Sequence, residues 1–238
     1  MTVVPPRLTG MSTWHNELGV FDLETTGVDV DTARIVTANV GLIDDTGAVI
    51  EGIDWIVNPG VAIPAQASAV HGVSTERAQA EGRDPSEAVE EIMVALRTIL
   101  NRGIPVVAYN APYDFTVLER EAERYGLDPL SAPAPIVDPL VIDKALDKYR
   151  KGKRTLEVTA QFYGVELADA HDAGADAVAA GRVAQAIARA HSAELDLDAA
   201  ELHQRQVRWS QEQAADFQEY MRRVKDPSFT TSGAWPVR

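Results

Sequence analysis

The stretch GVFDLETTG at residues 19–27 constrains this chain more than any other: an apolar run interrupted at alternate positions by carboxylates and closed by a Thr-Thr-Gly turn. Strand side chains alternate between two faces, so Asp22 and Glu24 share one face while Phe21 and Leu23 point into a core. Two neighbouring carboxylates make half a cation site, although a solvated strand end would also accommodate them. The absence of cysteine removes disulfides, thiolate nucleophiles and sulfur-ligated zinc. Any metal must therefore sit among oxygen donors and imidazole.

The 36 acidic residues outnumber the 22 Lys and Arg, for a formal charge of −14. Such a balance disfavours a grip on long duplex nucleic acid, which depends on releasing counterions from phosphates, and points to short or single-stranded partners. With 238 residues, 45% of them hydrophobic, the chain suits one sizeable core plus an appendage. No apolar run approaches the roughly 20 residues of a membrane span. The first residues show no secretion signal, so a cytoplasmic location is the expectation.

Residues 1–13, with Pro5, Pro6 and Gly10, are expected to form a flexible lead-in. Strands are predicted over 14–24, 34–43 and 49–57, with the turn at 44–47 making the start of the sheet antiparallel. The Pro and Gly residues between 58 and 83 exclude a long regular element, and His71 falls in what reads as a loop. Asp84 and Pro85 open a helix whose buried face carries Val89, Ile92, Met93, Leu96, Ile99 and Leu100. A buried strand over 104–109 leads into a helix from Ala111 to Gly126. Asp114 lies in the first turn of that helix, where an acid also suits the dipole.

Ile136 and Val137 read as a brief strand, followed by a helix over 140–146. The one dense basic cluster, YRKGKR at 149–154, offers Arg150, Lys151, Lys153 and Arg154 as phosphate contacts, or forms a solvated loop. After a helix over 155–163, Asp172 caps a long Ala-rich helix, with His171 just outside it and Asp176 about one turn inside. From about residue 193 a long helix is predicted, with Leu202, Trp209, Phe217, Tyr220, Met221 and Val224 inward, and then a tail anchored by Trp235.

Asp22, Glu24, Asp114 and Asp176 thus fall at the ends of regular elements, with His171 nearby. Hard carboxylate oxygens suit Mg²⁺ or Mn²⁺. Two such ions about 4 Å apart can stabilise both the attacking and the leaving oxygen at phosphorus, and a histidine can take the proton from water.

With these residues in place the chain resembles the DEDD 3′-5′ exonucleases, in the branch whose third motif contains histidine (DEDDh), typified by the proofreading epsilon subunit of bacterial DNA polymerase III. FDLETTG matches the first motif through Asp22 and Glu24, AYNAPYDF the second through Asp114, and HDAGAD the third through His171 and Asp176. The likeness runs over roughly residues 14–192, and NPG at Asn58 and AVHGVS at His71 look like further family features. The resemblance implies an α/β, ribonuclease H-like fold: three antiparallel strands, then parallel ones, flanked by helices. It divides the chain into a lead-in at 1–13, an exonuclease domain at 14–192 and a C-terminal helix and tail at 193–238.

By the same resemblance, Asp22 bridges two divalent cations, Glu24 and Asp176 complete the first, and Asp114 holds the second. His171 is the general base. Thr25 and Thr26 lie against the terminal nucleotide, His71 is a further candidate substrate contact, and the basic cluster is one on its charge alone. The implied activity is release of nucleoside 5′-monophosphates from single-stranded DNA ends in proofreading or repair, by a protein that acts alone or in non-covalent association with a DNA polymerase. Trimming of RNA 3′ ends, or a polymerase-associated interaction subunit, are the alternatives.

Overall fold

Strand β1 (Leu18–Thr25) is the centre of a five-stranded sheet, and the other elements take their places around it. The computed structural model describes residues 13–167 and 172–238. β2 (Ile35–Ile43) runs antiparallel to β1, and β3 (Val49–Ile56) antiparallel to β2. The turn between them is set locally. The Asp44 carboxylate accepts from the N–H groups of Thr46 and Ala48, and Gly47 takes φ of 81°, which glycine adopts without a Cβ penalty. On the other flank, β4 (Val106–Val107) lies parallel to β1 and β5 (Ile136–Val137) parallel to β4, giving the order β3-β2-β1-β4-β5. This is the mixed α/β sheet the sequence predicts.

Alternation along β1 builds two cores. Phe21 and Leu23 pack with Val40 and Leu42 against α3 (Pro85–Asn101) and α4 (Ala111–Tyr125). Leu18 and Val20 pack with Ile43 against α7 (Ala173–Ala190). Asp22 and Glu24 continue that second row, so the helix that covers Leu18 and Val20 also runs up to the acids. Its closeness depends on Gly181, where a Cβ would lie 2.6 Å from both Val20 and Ile43 side-chain carbons. Asp84 and Asp172 cap α3 and α7 as the sequence predicts, accepting from Ser86 and Glu87, and from Ala175.

A short outer strand such as β5 would leave backbone groups unpaired. α8 (Ala199–Val224) supplies the missing partners from its side chains. Ile136 N–H donates to His203 Nδ1 at 3.0 Å, Asp138 N–H donates to Gln206 Oε1 at 2.6 Å, and Gln206 Nε2 donates to the Ile136 carbonyl at 3.0 Å. Trp235 is the anchor of the tail: it is buried and its ring centroid lies 4.9 Å from that of His203. Arg238 N–H then donates to Thr116 Oγ1 on α4.

Several predicted bounds shift for physical reasons. β1 begins at Leu18 rather than residue 14, because Trp14 lies in a turn and donates its indole N–H to the Leu195 carbonyl. The region 58–83 holds two short helices, α1 (Ala65–His71) and α2 (Thr75–Glu81), so His71 ends a helix rather than sitting in a loop. The buried run 104–109 pairs over two residues only. α8 starts at Ala199, after a turn that buries Leu195 and Leu197. Phe217, Tyr220 and Val224 are exposed rather than inward, since the end of α8 extends beyond the sheet and Phe217 meets Phe229 of the tail instead. The remaining helices, α5 (Pro139–Leu146) and α6 (Leu156–Tyr163), fall close to where the sequence predicts them. Among the described residues no helix is long and apolar enough to cross a membrane.

Candidate active site

Three carboxylates meet where the end of β1 faces the first turn of α7. One oxygen from each of Asp22, Glu24 and Asp176 lies within 4.8 Å of the others. Strand periodicity aligns the first two, and the close approach at Gly181 brings the third. Asp114 reaches the same strand differently. It is 3% exposed, and its Oδ1 accepts the N–H of Leu23, the residue between the two strand acids, at 3.1 Å. β4 pairs with β1 only at Gly19 and Val20, so the position further along the strand is taken by this carboxylate.

Asp138, fully buried at the end of β5, fixes the start of α4 that carries Asp114. Its two oxygens accept the N–H groups of Asn110 and Ala111, both at 3.0 Å, and Oδ1 also accepts from Leu140. The indole N–H of Trp235 approaches Oδ2 at 3.4 Å. Burial raises the Asp138 pKa, against the pull of these donors.

The acids crowd one another. Burial, and then the charges of Asp114, Glu24, Asp176 and Asp172, hold the Asp22 carboxyl well above the usual carboxylate range. Glu24 is pushed up to about 7 by burial and then by Asp176 and Asp172. Asp114 is raised as well, mainly by burial, with the Leu23 N–H opposing. Clustered carboxylates that resist ionisation are a donor set that a divalent cation would satisfy, since its charge offsets their repulsion and its preference is for oxygen.

At the turn after Glu24, Thr25 Oγ1 donates to the Gly27 carbonyl at 2.8 Å and Thr26 Oγ1 accepts from Arg34 N–H at 3.0 Å. His71 accepts the Val73 N–H through Nδ1; burial lowers its pKa, with the Thr25 backbone beside it favouring the charged form. His71 is thereby brought to the turn. The basic cluster divides. Arg150 and Arg154 turn inward, both paired with the fully buried Asp143 carboxylate, which also accepts from Tyr163 Oη at 2.9 Å. Their place inside the fold corrects the expectation that they offer phosphate contacts, and leaves Lys151 and Lys153 as the exposed cations of that loop. His171 lies outside the described residues; it immediately precedes Asp172, the cap of α7.

Sequence reasoning assigned no role to Asp138, Tyr113 or Asp172 at this end of the sheet. An acid directly after a brief apolar strand and before a proline is the signal that marks Asp138. Asp172 was read as a cap only, yet its charge reaches Asp22 and Glu24.

Solved structures with the same fold include Escherichia coli exonuclease I in complex with a dA16 oligonucleotide, with a TM-score of 0.64 and 20% identity over 74% of this chain and 41% of that one. A second is a moderately thermophilic exonuclease I from Methylocaldum szegediense, with a TM-score of 0.60 and 22% identity over 74% of this chain and 41% of that one. The fold is therefore of the ribonuclease H-like kind. In sequence, a DNA polymerase III PolC-type from Caldanaerobacter subterraneus subsp. tengcongensis is 24% identical over 180 residues, 75% of this chain. An uncharacterized exonuclease, CP81, of Escherichia phage 186 is 31% identical over 118 residues, which is 48% of this chain and 54% of that protein. This chain spans only 12% of the length of the PolC-type relative. The model of the Exonuclease family matches residues 20–184, and the chain belongs to that family, as a DEDD exonuclease of the ribonuclease H-like superfamily.

Proposed function

We propose that this chain is a divalent-cation-dependent 3′-5′ exonuclease that releases nucleoside 5′-monophosphates from single-stranded DNA ends. The observation that carries the reading is the meeting of Asp22 and Glu24 of the central strand with Asp176 of α7, within 4.8 Å, in an exonuclease-family fold. These three, with Asp114 on the far side of Leu23, would hold two cations, Mg²⁺ or Mn²⁺. Such ions, when bound, offset charge on the scissile phosphate and ease ionisation of the attacking water.

The chain's own residues do the rest. His171 takes the proton as the water oxygen attacks phosphorus. The P–O3′ bond breaks, and the shortened strand keeps that oxygen and gains a proton. The backbone of Thr25 and Thr26 lies against the terminal nucleotide, with His71 beside the turn, so that only a free 3′ end fits. Lys151 and Lys153, exposed on their loop, would meet phosphates further along the strand. The likeness to DNA polymerase III PolC-type proteins supports the choice of DNA over RNA, and a role in proofreading or repair beside a polymerase is part of this proposal.

The test is a 5′-labelled single strand, DNA or RNA, incubated with Mg²⁺ or Mn²⁺, with Asp22→Asn as control. A ladder shortening from the 3′ end of DNA, absent in the control, is expected. No shortening with either metal overturns the reading, and faster loss of RNA overturns the choice of sugar.

A further inference from the structure

The first turn of α4 touches β1 at two points, on either side of Glu24. Asp114 accepts the N–H of Leu23, and the neighbouring Tyr113 sends its hydroxyl to the turn. Tyr113 Oη donates to the Gly27 carbonyl at 2.5 Å and lies 2.5 Å from Thr25 Oγ1, which itself reaches Gly27 O at 2.8 Å. Two hydroxyls from different elements therefore converge on one carbonyl. A register shift between Glu24 and Thr25 frees the chain from the regular ladder at this point, so side chains must fix the path of the turn. The Thr26 hydroxyl and Arg34 N–H tie the other side. A phenylalanine at 113 would fill the same space and leave Gly27 O one donor short. The hydroxyl, rather than the ring, is what this position adds.

Resting on the exonuclease reading above, we propose that Tyr113 is a positioning residue: its hydroxyl holds the Thr25–Gly27 turn in the form that receives the 3′-terminal nucleotide. It makes no contact with the reacting atoms. Its effect is to order, before binding, a backbone segment that would otherwise be ordered at the expense of affinity. Loss of one neutral hydrogen bond in such a place corresponds to about a 3–10-fold effect.

The experiment compares the whole protein with Tyr113→Phe, Thr25→Val and the double variant. Two readouts are taken: steady-state kinetics on single-stranded DNA, and equilibrium binding of thymidine 5′-monophosphate in Mn²⁺ by calorimetry. Tyr113→Phe is expected to raise KM and the nucleotide Kd about 3–10-fold with kcat within 2-fold, as a lost neutral hydrogen bond at a preordered turn predicts. The double variant should lose more than the product of the two single losses, because each single variant still leaves Gly27 O the other hydroxyl. Wild-type binding with unchanged KM and Kd in Tyr113→Phe overturns the inference and leaves the exonuclease reading standing. Fully multiplicative losses in the double variant also overturn it. A wild-type protein that neither binds the nucleotide nor shortens DNA removes both.

Discussion

Replacing Glu24 with glutamine separates the cost of the acid cluster from its use. Without a cation, the Glu24 pKa is about 7 instead of 4.5, so the folded protein holds this proton more tightly than the unfolded chain does. The stability linked to it is complete below pH 4.5 and is lost as pH rises through 7. At 1.36 kcal/mol per pH unit the difference is about 3 kcal/mol. Glu24 is partly open to solvent, which reduces the figure to roughly 1–2 kcal/mol. For a chain of this size that corresponds to roughly 3–6 °C in Tm. Thermal unfolding in chelator at pH 5 and pH 8, followed by circular dichroism, should therefore show a steeper fall for the wild type than for Glu24→Gln, by about that amount. Adding Mn²⁺ at pH 8 to about 100 times its Kd should return about 2.7 kcal/mol to the wild type, and far less to the variant. Identical pH dependence in the two proteins, or equal stabilisation by Mn²⁺, would refute the reasoning, because Glu24 would then be neither strained by its neighbours nor a ligand.

Asp22→Asn, Asp114→Asn and Asp176→Asn should each fold, with a chelator-treated Tm no lower than wild type, yet lose at least roughly 10²-fold in nucleotide release. His171→Ala should keep Mn²⁺ binding while hydrolysis falls, and equal loss of both by calorimetry and kinetics would make His171 a ligand instead. Asp143→Ala strands two buried guanidinium groups and should cost about 3–5 kcal/mol in urea unfolding; a change below about 1 kcal/mol would show the pairing to be dispensable. Gly181→Ala pushes a methyl into Val20 and Ile43 and should cost about 1–3 kcal/mol, visible as a lower urea midpoint at an unchanged slope.

Features settled within a few residues were readable from the chain. Asp84 before Pro85, Asp172 before the Ala-rich run and the turn at 44–47 depend on backbone groups two or three positions away, and the structure has them where local chemistry puts them. Features settled by distant partners were not. Arg150 and Arg154 look solvated until Asp143 is found between them, because both lie in the loop after α5 and fold back onto that helix by a path no periodicity describes. Phe217, Tyr220 and Val224 follow a helical period, but periodicity does not report where the body beneath the helix stops. At the acids, the shared face of Asp22 and Glu24 follows from strand geometry alone. The approach of Asp176 depends on one glycine in a helix of small residues, and the hold on Asp114 depends on how short β4 is.

The hold of the C-terminal segment on Asp138 gives the molecule an order of manufacture. Trp235 follows Asp138 by 97 residues, and Gln206 by 68. At ribosomal speeds of about 5–20 residues per second, a nascent chain carries Asp138 for roughly 5–20 s before the indole that closes against it has been made. For the first part of that interval the outer strand also lacks His203 and Gln206, and throughout it the start of α4 is held without its last neighbour. A chain that has emerged as far as α5 therefore carries the start of α4 on a scaffold still missing its clasp, and the setting of Asp114 is completed only when segments far along the chain have folded back.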